Sequence, residues 1–165
     1  MSNSAYLIAL GSNQRHPAIG CPREVVALSA QLLDGTLGEV LAMSPIIDSA
    51  PVGPSQRRYA NGALVLESRL TPPELLFALQ QLETALGRVK RGQRWRARVI
   101  DLDIVLWSGG TFAAPGLIVP HLQFRERAFV LGPVAHIAPG WRDPVSGYNL
   151  AQLHARLTRR RPLPR

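Results

Sequence analysis

Ala5, Tyr6, Leu7, Ile8, Ala9 and Leu10 are apolar without interruption. A short run with no alternation predicts a strand buried on both faces, closed by the turn Gly11-Ser12-Asn13. From 22 to 33 the period changes: Val25, Leu28, Leu32 and Leu33 recur at helical spacing, with Pro22 in the first turn. Residues 40–49 have strand composition broken by Pro45, which predicts an edge or bulged strand. A loop over 50–58 and a strand over 59–67 follow. Thr71-Pro72-Pro73-Glu74 is a helix start in which Thr71 caps and Glu74 completes a capping box, and that helix should run to Leu86 and stop at Gly87. A strand is expected over 99–107, with a tight hairpin turn at Ser108-Gly109-Gly110-Thr111. Helices are expected over 124–138, ending at Pro139-Gly140, and over 150–157. In order the core reads β-α-β-β-α-β with additional C-terminal helices, the pattern of an α+β ferredoxin-like sandwich.

The strand over 99–107 changes the picture from fold to chemistry. With side chains alternating between faces, Ile100, Leu102, Ile104 and Leu106 make one apolar side, and Asp101 and Asp103 share the other. Alternate residues lie roughly 6–7 Å apart, a spacing at which two carboxylates can hold one or two hard cations. In isolation such a pair also describes a solvated strand face. Just upstream stand Arg88, Lys90, Arg91, Arg94, Arg96 and Arg98 with no acid among them. A cation site beside a cationic loop is consistent when a polyanion lies between, which is the charge order of an enzyme handling a nucleoside triphosphate. Trp95 within the loop is costly to expose unless something covers it, and a loop folding over a bound nucleotide would do so.

Composition bounds these readings. The 165 residues, 46% hydrophobic and 18% charged, suit a single domain over 1–165 that buries about 70% of its unfolded surface, with 159–165 a disordered basic tail. No stretch is long enough for a membrane span, and the N-terminal apolar run lacks the basic start and cleavage site of a signal peptide. Cys21 is the only cysteine, which excludes an internal disulfide and a cysteine-based zinc site and fits the cytoplasm. A net charge of +8 favours anionic partners without choosing among them. Gly11-Ser12-Asn13 lacks the glycine spacing and lysine of a P-loop. His16, His136 and His154 show no metal-ligand spacing.

Four separated pieces carry a family likeness: Ala9-Leu10-Gly11-Ser12-Asn13; residues 50–61; Arg94-Trp95-Arg96-Ala97-Arg98-Val99-Ile100-Asp101-Leu102-Asp103; and Val119-Pro120-His121 with Arg125-Glu126-Arg127-Ala128-Phe129. Together they resemble the 6-hydroxymethyl-7,8-dihydropterin pyrophosphokinases, which move pyrophosphate from ATP to a pterin alcohol in folate biosynthesis. The resemblance implies that Asp101 and Asp103 bind two Mg²⁺ ions and that Arg88 and Arg98 close on the triphosphate from a loop holding Trp95. It further implies that His121 and Arg127 contact phosphate, and that Gln80 and Glu83 line the nucleotide site. On the pterin side it implies a ring sandwich by Tyr59 and Phe129, hydrogen bonds from Asn61 and Ser49, and a pocket wall from Ala50 and Val52. Catalysis would rest on Arg88, Arg98, Asp101 and Asp103, with no residue marked as general base. The expected partners are ATP and the pterin alcohol, with no nucleic acid and no membrane, and the expected state is a cytoplasmic monomer. Arg96 stands where the family signature usually has glycine. That departure keeps open an impaired relative that binds without turning over. A basic chain of this architecture also leaves an RNA-binding module as a rival, although glycine and aromatic residues of the RNP1 type are missing from the central strand.

Overall fold

In the computed structural model, residues 3–50, 57–87 and 99–159 are described. Strand β1 (Ser4–Ser12) is central, and its continuous apolar run follows from having a core on each side. Tyr6, Ile8 and Leu10 point into one cluster, and Leu7 and Ala9 into the other. Helix α1 (Pro22–Leu33) opens on a capping box in which the Glu24 carboxylate accepts from Cys21 N at 2.6 Å. It buries Val25, Val26, Ala30 and Leu33, whereas Leu32, expected in the apolar face, is 38% exposed. Ser29 takes a buried place on that face by donating its hydroxyl to Val25 O at 2.7 Å.

The stretch interrupted by Pro45 is two strands, β2 (Glu39–Met43) and β3 (Ile47–Ser49), both antiparallel to β4 (Tyr59–Ser68). Helix α2 (Pro72–Ala85) starts at the expected box, with Thr71 N donating to Glu74 Oε2 at 2.8 Å. It is closed by Gly87, whose φ of 99° is open to glycine at little cost. Strand β5 (Asp101–Trp107) then pairs antiparallel with β1, giving a sheet in the order β2-β4-β1-β5 with β3 also on β4. This is the ferredoxin-like order expected of β-α-β-β-α-β. Helices α1 and α2 cover the face holding Tyr6, Ile8 and Leu10. Helices α3 (Ala128–Ile137) and α4 (Leu150–Thr158) cover the other.

Four expectations are corrected by packing. Strand β5 begins at Asp101, two residues later than alternation suggests. Its register to β1 shifts between Leu7 and Ile8, which pair with Leu106 and Ile104, so Val105 is an extra residue. Beyond that bulge the faces exchange: Leu106 joins the α3 side and Trp107 stacks on Tyr6 at 6.4 Å on the α1 side. The turn after Trp107 is tight, with Gly110 N donating to Trp107 O at 3.0 Å. The hairpin itself is formed downstream by β6 (Phe112–Ala114) and β7 (Leu117–Val119) around Gly116. The helix expected over 124–138 is a 3₁₀ turn (Phe124–Glu126) and α3, separated by Arg127 in an extended conformation. Among the described residues no helix is long and apolar enough to cross a membrane.

Candidate active site

The ladders of the sheet align the expected residues in two rows on its α3-facing side. Asp101 pairs with Gly11, Gly11 with Asn61, and Asn61 with Ile47. One step along, Asp103 pairs with Ala9, and Ala9 with Ala63. Because residues two apart share a face, Tyr59 and Ser49 belong to this side as well, paired with each other across β3 and β4. With strands about 4.8 Å apart, Asp101 and Asn61 stand roughly 10 Å from one another across β1. The residues between them, Gly11, Ala9 and Ala63, are small, so the floor is low where the side groups are tall. Neither alternation nor composition marks these residues as part of a site. Their signal is that a buried strand carries its smallest side chains on the acid-bearing face.

Asp101 and Asp103 are half-buried, and their neighbour Leu102 is buried on the opposite side. The described residues hold no group of three or more His, Cys, Asp and Glu side chains able to enclose a metal. Two carboxylates on one strand face suit Mg²⁺, which usually keeps water and takes phosphate oxygens in positions that protein does not fill.

At the other end of the rows, Asn61 is 4% exposed and its Nδ2 donates to Ser49 Oγ at 2.7 Å. A Cβ at Gly11 would come within 3.3 Å of Asn61 Oδ1, so the amide is confined from both sides. Ala50 lies exposed at the end of β3, and Tyr59 is half-buried at the start of β4. Phe129, also half-buried, sits in the first turn of α3, which packs on β4 and β3.

The Arg127 guanidinium is 5.9 Å from the centre of the Phe129 ring and donates to Gln123 Oε1. The extended break at Arg127 separates its side chain from that of Arg125. Arg125 is committed elsewhere, in a two-pronged pair with Asp143 at 2.6 Å for each contact. Burial pushes the Asp143 carboxyl up, but hydrogen bonds from Arg125, Ser146 and Val145 N, with the Arg125 charge, outweigh it and hold the group down at about 2. Arg125 is therefore committed to anchoring the turn, and Arg127 is the arginine of this pair that reaches the Phe129 ring. The sequence signal for this anchor was the turn Asp143-Pro144-Val145-Ser146-Gly147.

His121 enters from the far edge of β5, its amide donating to Val105 O at 3.0 Å. Its Nδ1 accepts from Gln123 N at 3.2 Å, which leaves Nε2 as the ring's donor in the neutral form. Gln80 is half-buried on α2, and Glu83, one turn on, is buried against β5. Arg88, Trp95, Arg98 and Val52 lie outside the described residues, as do Arg96 and residues 160–165. A cavity of about 800 Å³ opens at the opposite end of the sheet among Leu37, Glu39, Glu67, Leu70 and Phe77, and it contains none of the expected residues.

Residues 7–139 match the family described as 7,8-dihydro-6-hydroxymethylpterin-pyrophosphokinase. A 2-amino-4-hydroxy-6-hydroxymethyldihydropteridine pyrophosphokinase of Pseudomonas aeruginosa is 41% identical over 151 residues, 90% of this chain and 88% of that protein. Its Bacillus subtilis counterpart is 42% identical over 140 residues, covering 83% of this chain and 79% of its own. Among solved structures, Plasmodium falciparum HPPK-DHPS with pteroate superposes with a TM-score of 0.74 over 94% of this chain at 11% identity. The chain spans 44% of that protein's length, and the likeness is one of fold.

Proposed function

The chain belongs to the 7,8-dihydro-6-hydroxymethylpterin-pyrophosphokinase family, and on that premise we propose that it transfers pyrophosphate from ATP to the hydroxymethyl group of 6-hydroxymethyl-7,8-dihydropterin, giving AMP and the pterin pyrophosphate. One observation carries this reading: Asp101 and Asp103 share a sheet face with Asn61, Ser49 and Tyr59, separated by one strand of small residues. An acidic cation-binding end and an amide-and-aromatic end, roughly 10 Å apart, suit a triphosphate meeting a flat heterocycle.

In this reading Asp101 and Asp103 hold Mg²⁺, two ions in number, which when bound offsets phosphate charge and makes the phosphorus more electrophilic. Asn61 and Ser49 orient the pterin edge, and Tyr59 and Phe129 stack on its faces, with Ala50 and Val52 at the wall. The side-chain pairing of Asn61 with Ser49 fixes which way the amide points before substrate arrives, so less ordering is left for binding. His121 donates from Nε2 and Arg127 from its guanidinium to phosphate oxygens, while Arg88 and Arg98 approach from the loop that carries Trp95. Gln80 faces the nucleotide. A primary alcohol attacking the β-phosphorus needs alignment and charge compensation more than a strong base, and the residues named supply both. The working unit is a monomer in the cytoplasm, acting on small molecules.

The test is AMP release that depends on both the pterin alcohol and Mg²⁺. ATP affinity should collapse in EDTA. ATP binding equal with and without Mg²⁺, or metal-independent RNA binding that weakens steeply as salt rises, would replace this reading with that of a nucleic-acid module.

A further inference from the structure

Leu75, Leu79, Glu83 and Leu86 recur at the spacing of one helical face, and all four are buried. The three leucines seat in the core cluster beneath the sheet. A carboxylate at the fourth such position, 2% exposed, is expensive to keep dry unless a donor meets it. One such donor is a backbone group: Glu83 Oε1 accepts from Leu102 N at 2.8 Å. Strand β5 is the last of the sheet, and successive amides along a strand point to opposite edges. The amide between Asp101 and Asp103 therefore points away from β1, toward an edge where no strand of the described residues follows. Glu83 takes the place that a neighbouring strand's carbonyl would have.

We infer that Glu83 is a positioning residue for the metal site, acting through Leu102 rather than on nucleotide. Asp101 and Asp103 flank the pinned amide, so the pitch of the backbone at Leu102 sets where both carboxylates project. Along its outer edge β5 is met at Val105 O by His121 N and at the acidic end by Glu83, so a rotation of that end, which would move the two carboxylates together, is opposed there by the Glu83 contact. One carboxylate oxygen on the outer edge, opposed by β1 on the inner, removes that freedom. The cation then meets a pair whose spacing is set before it arrives. The inference rests on the reading of Asp101 and Asp103 as metal ligands.

The experiment compares wild type, Glu83→Gln and Glu83→Leu. Amide exchange at Leu102 is followed by NMR in the apo proteins, and Mg²⁺ dependence of both MgATP binding and AMP release is followed in the same preparations. Glutamine keeps an acceptor for Leu102 N and should retain slow exchange and an apparent Mg²⁺ requirement within about 3-fold of wild type. Leucine keeps the helical stripe but offers no acceptor. It should speed exchange at Leu102 and raise the Mg²⁺ requirement about 10-fold or more, with part of the lost turnover recovered at high Mg²⁺.

If Glu83→Gln weakens ATP binding as much as Glu83→Leu at saturating Mg²⁺, the residue contacts nucleotide and the inference falls. If Glu83→Leu matches wild type in Mg²⁺ dependence, it falls as well. Should Glu83→Leu fail to fold, rapid exchange at Leu102 in wild type, or in folded Glu83→Gln, would overturn the inference without it. A wild-type protein with no pterin-dependent AMP release would instead overturn the proposed function, a distinct failure.

Discussion

Asn61 Nδ2 donates to Ser49 Oγ at 2.7 Å, across paired strands whose side chains share the face of Asp101 and Asp103. With Asn61 almost fully buried, losing that acceptor lets the amide rotate within the pocket. Ser49→Ala should therefore raise KM for the pterin alcohol about 5- to 10-fold while KM for ATP changes little. Steady-state kinetics with each substrate varied in turn checks this. An effect confined to ATP would remove Asn61 and Ser49 from the pterin site.

Gly11 offers the same question from the other side. Its ideal Cβ falls 3.3 Å from Asn61 Oδ1, closer than an ordinary contact, so Gly11→Ala should press on the amide without requiring a new backbone conformation. The expected outcome is a KM shift for pterin in the direction of Ser49→Ala, with a melting temperature lowered by only a few degrees. Combining the two substitutions should give less than the product of their effects, since both act on one side chain.

Asp101→Asn and Asp103→Asn should each leave the circular dichroism spectrum unchanged and cut turnover by at least ~100-fold, because each removes a charged metal ligand. Near wild-type rates in both would end the assignment of these carboxylates to Mg²⁺.

Acid should expose the anchor beneath Arg127. The Asp143 carboxyl lies at about 2 in the folded protein, against 3.8 for an unperturbed group. A depressed pKa means the unfolded chain binds the proton first. The stabilisation is therefore complete above pH ~4 and is lost as pH falls toward 2, to the extent of about 2 kcal/mol. Urea titrations at pH 7 and pH 2.5 should show this loss in wild type and a smaller one in Asp143→Asn. At pH 7 that variant should be less stable than wild type by about 2–4 kcal/mol, since it breaks a pair buried on one side. Equal pH slopes in the two proteins would contradict the account.

Much of this architecture is legible without coordinates, for identifiable reasons. The unbroken apolar run of β1, the capping box at Thr71 and Glu74, and the glycine stop at Gly87 are local signals that tertiary packing reinforces. Asp101 and Asp103 lie on one face because the pleat requires it. What alternation could not reveal is the extra residue at Val105, because a bulge is set by the partner strand rather than by its own sequence. The break at Arg127 is hidden for a similar reason, since its apolar neighbours continue at helical spacing across it. Glu83 was visible in principle: a carboxylate falling in step with Leu75 and Leu79 announces burial, and burial of a charge announces a partner. The partner's identity, a backbone amide on another element, required the fold.

The bulge at Val105 works like a shift of reading frame within β5. Upstream of it, odd-numbered positions face α3; downstream, that side belongs to Leu106, and Trp107 turns to meet Tyr6. A deletion of Val105 would remove the extra residue and leave Leu106 opposite Leu7 and Trp107 opposite Tyr6, on the sides where they already emerge, because both then follow Ile104 in regular alternation. At the bulge a gap of one residue thus costs the packing of Val105 itself and turns no neighbour over, whereas a gap elsewhere in the strand reverses the faces on one side of it. Relatives aligned across it should be compared by face rather than by column.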